Sequence, residues 1–211
     1  MFDDLNPLEN DAVLEVFNIA MGMAGTTLSQ MVDDEVTLQV PSIKFFTVEE
    51  LLRTEEIMTD KPLVAVTQHI SGVFNSDAVL MFNEDNALYV VQQMMGEDFD
   101  EVLPADQFSE IQQEAMIEIG NVVLNACIAS IANMFQIELD VSVPFYRLTT
   151  YREFFVGNKR ANSPSEGILM LLITFGLRRH EIEGRLAFLM DVPALQEFQL
   201  QLQGFIAGYS G

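Results

Sequence analysis

Two stretches of the chain repeat apolar residues with a helical period. Over positions 7 to 31, Val13, Val16, Phe17, Ala20, Ala24 and Met31 fall within one arc of a helix, while Asp11, Glu15 and Asn18 lie within about 60° of each other on the opposite side. Asn6-Pro7-Leu8-Glu9 supplies the start: a cap, proline at the first helical position, and Glu three after the cap. A second long helix begins between Pro104 and Ser109 and runs to about Met134. Met116, Ile119, Val123, Cys127 and Met134 form its apolar stripe, and Glu114, Glu118 and Asn121 face away from it.

Alternating positions after each helix predict a strand, Val36 to Phe46 in one half and Ile137 to Leu148 in the other. Two hairpins follow. Leu63 to Ile70 turns at Ser71-Gly72 into Val73 to Phe82, and Ile168 to Leu177 turns at Arg178-Arg179-His180 into Ile182 to Met190. Each half ends in an amphipathic helix before a glycine, Asp85–Met95 before Gly96 and Val192–Leu202 before Gly204. Thr47 and Glu50 have the spacing of a capping box, which predicts a short helix over 48–53.

The halves are thus two copies of one order of elements, 6–96 and 104–204. The offset is 103 residues for the long helix and first strand and 108 for the hairpin and last helix, so an exposed loop around 157–164 takes up the difference. We expect an α+β fold. It is a single domain over 1–211 of two fused pseudo-symmetric halves, with a central sheet of about six strands, two long helices and shorter flanking ones. Neither half is expected to fold alone.

The 211 residues carry a net charge of −22, and 26 of the 32 Asp and Glu lie in residues 1–144. That excess argues against nucleic acid and anionic membranes as partners, since both attract basic patches. The N-terminus is acidic where a signal peptide is basic, and the longest apolar run is too short to span a bilayer. One cysteine, Cys127, cannot form an internal disulfide, so it reads as a small buried hydrophobe in a cytoplasmic protein.

The candidate chemistry is a four-point pattern that occurs twice. Asp11, Glu15, Asn18 and Pro41 repeat as Glu114, Glu118, Asn121 and Pro144, with 22 residues between Asn and Pro each time. Residues three apart on a helix are neighbours, so each copy sets a carboxylate beside a carboxamide. From the chain's 19 Glu, 11 Asn and 7 Pro, Glu-x2-Asn-x22-Pro is expected by chance only about 0.03 times. Other groups give less. His69 and His180 stand alone with no second ligand at metal spacing, so no metal site is expected. Gly22 and Gly25 inside a helical pattern suggest close packing, and Met21, Met23, Met94 and Met95 suggest either core or a docking face.

These residues resemble the CheC/CheX/FliY-type family of chemotaxis phosphatases, most nearly CheC, which carries two copies of the motif. The resemblance extends over nearly the whole chain, including GRLAFLMDVPALQEF near its end. The first copy matches throughout; the second has Glu114 where the family has Asp or Ser. The resemblance implies hydrolysis of the aspartyl phosphate of a CheY-type response regulator. Asn18 and Asn121 would orient the attacking water, and Glu15 and Glu118 would dock to the regulator's lysine. Pro41 and Pro144 would shape the sheet beside each helix. Mg²⁺ would belong to the regulator, leaving this chain without a cofactor of its own, and a CheD-like protein is a possible partner. The competing expectation is a non-catalytic regulator-binding adaptor resembling the FliM middle domain.

Overall fold

The computed structural model describes residues 5–51, 53–54, 61–96, 108–157, 167–177 and 180–209. Helix α1 (Pro7–Val32) starts as the sequence dictates. Asn6 Oδ1 accepts from the Glu9 amide at 3.0 Å, and Glu9 returns a bond to the Asn6 amide. Helix α4 (Glu110–Phe135) starts with the same reciprocal box between Ser109 and Gln112. Both helices end on a residue in the left-handed conformation, Asp33 and Gln136. Each has 26 residues and so runs about 39 Å. Their composition would allow either to cross a membrane. Here their apolar faces are buried in the core instead, with carboxylates on the outer sides.

Among the described residues seven strands form one antiparallel sheet. They are β1 (Val36–Thr47), β2 (Pro62–Gly72), β3 (Ser76–Asn83), β4 (Leu139–Val141), β5 (Phe145–Thr150), β6 (Gly167–Leu177) and β7 (His180–Met190). The order across the sheet is β1-β6-β7-β3-β2, with β4 and β5 both lying along the outer side of β2. The order is palindromic, with a pseudo-twofold axis between β3 and β7. The halves interleave: the first strand of each pairs with the hairpin of the other. This exchange, invisible to local periodicity, is the physical reason a half lacks a complete sheet.

Register also corrects the expected offset. Thr47 pairs Gly167 as Thr150 pairs Pro62, so β2 and β6 differ by 105 residues (167 against 62) rather than 108. The extra residues are therefore spread along the second half. The expected 157–164 loop and the Arg178-Arg179 turn fall largely outside the described residues.

Helices α1, α3 (Glu84–Met95), α4 and α6 (Val192–Tyr209) cover one face of the sheet and bury the main core. The other face carries a smaller core around Leu63, Val79, Met81 and Ile168, roofed by α2 (Val48–Leu51) and α5 (Tyr151–Gly157). The α2 cap forms as expected. Hydrogen bonds from the Thr47 backbone and side chain hold the Glu50 carboxyl below its ordinary pKa.

Three expectations change. Helix α5 is an addition to them: it fills a stretch with no predicted element, because Tyr151, Phe154 and Phe155, at helical spacing, are buried in the smaller core. Helix α6 runs past Gly204, since Phe205 and Ile206 still pack on the main core. Met31 is exposed rather than part of the buried stripe. The first hairpin turns after Gly72, not at it. Gly72 has φ of 137°, and a β-carbon there would sit 2.8 Å from the Glu138 carbonyl, so only glycine fits. Cys127 is fully buried, and burial pushes its thiol pKa well up, as expected of an inert core residue.

Candidate functional site

Helices α1 and α4 pack side by side, each carrying one copy of the four-point pattern. Asp11, Glu15, Glu114 and Glu118 are exposed, as the helical spacing requires. The two amides are not: Asn18 and Asn121 are both half-buried, because a strand lies alongside each helix at that level. From there the two copies diverge.

In the first copy the carboxamide is consumed by the backbone. Asn18 Oδ1 accepts from the Val40 amide at 3.0 Å, and Nδ2 donates to the Val40 carbonyl at 3.3 Å and to the Leu14 carbonyl at 3.1 Å. Val40 sits in a bulge of β1, where the register to β6 slips between Gln39 and Ser42. A bulge leaves backbone groups without ladder partners. Asn18 supplies them, and Pro41, exposed at the same bulge, has no N–H to satisfy. The Asn-x22-Pro spacing is therefore readable as a clamp: the amide grips the residue just before the proline. A second clasp reinforces it, with Ser29 Oγ accepting from the Val36 amide at 2.9 Å.

In the second copy the expected single strand is broken. β4 ends at Val141 and β5 starts at Phe145, so Ser142, Val143 and half-buried Pro144 form a gap in place of the bulge. Val143, the counterpart of Val40, is 83% exposed. It is turned away from the helix, and Asn121 bonds side chains instead. Its Oδ1 accepts from Asn125 Nδ2 at 2.7 Å and from Gln68 Nε2 at 3.5 Å. Gln68 Nε2 also reaches Asn125 Oδ1 at 3.4 Å and the Ser142 carbonyl at 3.2 Å. Ser142 is itself held to β2, donating its amide to the His69 carbonyl and accepting from the His69 amide at its Oγ, both at 2.9 Å. Asn121 Nδ2 has no partner among the described residues. The second site thus presents a free amide donor one helical turn from an exposed carboxylate, Glu118.

Helix α4 sits close enough for this network because of Gly120. A β-carbon there would lie 2.4 Å from Val66 Cγ1 and 2.7 Å from Val66 Cβ. Gly120→Ala is therefore expected to lower the thermal midpoint. Overpacking costs about 1–3 kcal/mol, which outweighs the ~1 kcal/mol that alanine gains over glycine in a helix. A melting curve unchanged or raised would contradict it. Gly25 packs closely too, since a β-carbon there would lie 3.0 Å from the Val36 carbonyl, whereas Gly22 is exposed and a β-carbon there would meet nothing within 4 Å, against expectation.

The remaining candidates are structural. His69 Nδ1 donates to Asp77 Oδ1 at 2.8 Å, and His180 Nδ1 lies 2.6 Å from the Tyr89 hydroxyl. No group of three metal-binding side chains occurs among the described residues. Met21 is buried, Met94 and Met95 pack against the core, and Met23 alone of the four is exposed. Sequence reasoning missed Gln68, Asn125 and Ser142. Gln68 left one trace: it is a glutamine in the otherwise inward-facing apolar series Val64, Val66, Ile70.

This fold matches those of FliY and the FliM middle domain. Thermotoga maritima FliY superposes with a TM-score of 0.75 at 17% identity, over 95% of this chain and 98% of that one. The FliM middle domain of H. pylori gives 0.69 at 12%, over 93% and 99%. No family model matches the chain. In sequence it is 24% identical over 180 residues to the flagellar motor switch phosphatase FliY of Bacillus subtilis, covering 85% of this chain and 45% of that protein. It is 23% identical over 146 residues to the CheY-P phosphatase CheC of the same organism, covering 68% of each. The chain thus spans less than half the length of the FliY relative. These likenesses are to members of the CheC/CheX/FliY group of proteins and, in fold, to the FliM middle domain.

Proposed function

We propose that this chain hydrolyses the aspartyl phosphate of a CheY-type response regulator, chiefly through Glu118 and Asn121. The observation that carries the reading is the unpartnered Nδ2 of Asn121 beside exposed Glu118. An acyl phosphate is already labile, so no nucleophile from the protein is needed. Holding one water in line with the phosphorus–oxygen bond is the main task in such a transfer. An amide N–H can donate to that water while leaving a second lone pair free to attack. Glu118 would pair with a lysine of the regulator as the interface closes and excludes water. Mg²⁺ would come with the regulator. The names of CheC and FliY as phosphatases support the reaction class. The reading sets the protein in the cytoplasm, with a CheD-like protein as a further partner to test.

Asn18 and Glu15 form the weaker site on this reading, because the Asn18 amide protons are both engaged by backbone carbonyls. The experiment is phosphate release from acyl-phosphorylated regulator. The double variant Asn18→Ala, Asn121→Ala is expected to release phosphate no faster than the regulator alone. Unchanged release would refute the proposal. The shared FliM middle-domain fold keeps the adaptor as a second reading. Tight binding of phosphorylated regulator with no turnover by the parent chain would favour it.

A further inference from the structure

Gln68 is only 1% exposed, on a strand face otherwise filled with apolar side chains. In the other half its register counterpart is Ile173, fully buried in the main core. A glutamine in that place is costly. Its Oε1 is buried with no hydrogen-bond partner among the described residues, and such an orphan costs about 1–3 kcal/mol. Apolar packing alone would be served better by isoleucine, the residue at the equivalent position on β6.

We propose that Gln68 and Asn125 are positioning residues for the Asn121 amide, a role that rests on the catalytic reading of Asn121 above. The argument starts from a backbone atom whose chemistry is fixed. The Ser142 carbonyl can only accept, so the Gln68 end facing it is the NH₂ group. That NH₂ group also faces Asn121, which must therefore present its oxygen. Asn125 presents its own NH₂ to the same oxygen at 2.7 Å. The close donor Asn125 and the more distant Gln68 NH₂, shared among three acceptors at 3.2 to 3.5 Å, together orient the carboxamide and leave Nδ2 pointing away from them. Without them the terminal torsion is broad and nearly twofold, and half of the population presents an oxygen where the donor belongs.

The first copy of the site, where β1 pairs with β6 of the other half, shows the alternative outcome. Where Ile173 stands in place of Gln68, the Asn18 amide turns to the backbone of Val40. In the second copy Val143, the counterpart of Val40, is exposed, Gln68 binds the carbonyl of the preceding Ser142, and the Asn121 amide donor is left to the site.

Two variants test this. Gln68→Met keeps the volume and removes the donor; Asn125→Asp, on an exposed position, keeps the shape and swaps the donor for an acceptor. Each is expected to lower kcat for phosphate release on the order of tenfold, with KM unchanged because docking through Glu118 is untouched. Gln68→Met is also expected to leave the thermal midpoint equal or higher, since the buried orphan is removed. A residue with only a structural role would lower both stability and activity. An independent readout is the side-chain amide signal of Asn121 in a nitrogen–proton spectrum, identified by its loss in Asn121→Ala. It is expected to shift and broaden in both variants. Parent-like kcat with an unmoved Asn121 signal overturns the inference. If Asn121→Ala is itself fully active, the catalytic reading falls first; if it is inactive while both variants match the parent, this inference alone falls.

Discussion

Asn121→Ala is expected to lower kcat for acyl-phosphate hydrolysis about 100-fold, the usual scale for losing one positioned donor. The fold should scarcely notice. Gln68 Nε2 keeps Asn125 Oδ1 and the Ser142 carbonyl as acceptors, and Asn125 is exposed to water. The thermal midpoint should fall by only about 2–4 °C, because one half-buried hydrogen-bonding group whose partners keep water or other acceptors contributes about 1 kcal/mol. Single-turnover phosphate release beside a melting curve checks both parts. A loss of less than about threefold would contradict the assignment of the water to this amide.

Asn18→Ala is expected to behave in the opposite way. Val40 is only 2% exposed, and its N–H and C=O have Asn18 as their partner at the bulge. Removing the carboxamide orphans both, at a cost of roughly 2–4 kcal/mol. For a chain of this size that is a fall of about 4–16 °C in midpoint. Activity per folded molecule should stay within about twofold of the parent, since the second site is intact. A variant with unchanged stability and a large loss of turnover would reverse the roles given to the two asparagines.

The contrast shows which features the sequence carries openly. Helix starts are legible because their signals are local: Asn6 with Glu9, and Ser109 with Gln112, act within one turn. The four-point pattern is legible as spacing, and the exposed carboxylates fall where the spacing sets them. The orientation of the amides is not. Whether an asparagine on a helix faces water or a strand depends on where the strand passes, and that is settled by packing such as Gly120 against Val66. The gap at Ser142–Pro144 escaped notice because Pro41 sits inside a continuous strand with the same spacing. The interleaving of strands has no local signature at all.

That interleaving fixes the order in which the molecule can be completed. The edge of β1 is covered by β6, and Thr47 pairs with Gly167 across 120 residues of chain. During synthesis at about 5–20 residues per second, β1 therefore emerges from the ribosome roughly 6–24 s ahead of its mate. For that interval the nascent chain carries an uncovered strand whose neighbour does not yet exist, a natural point of engagement for chaperones.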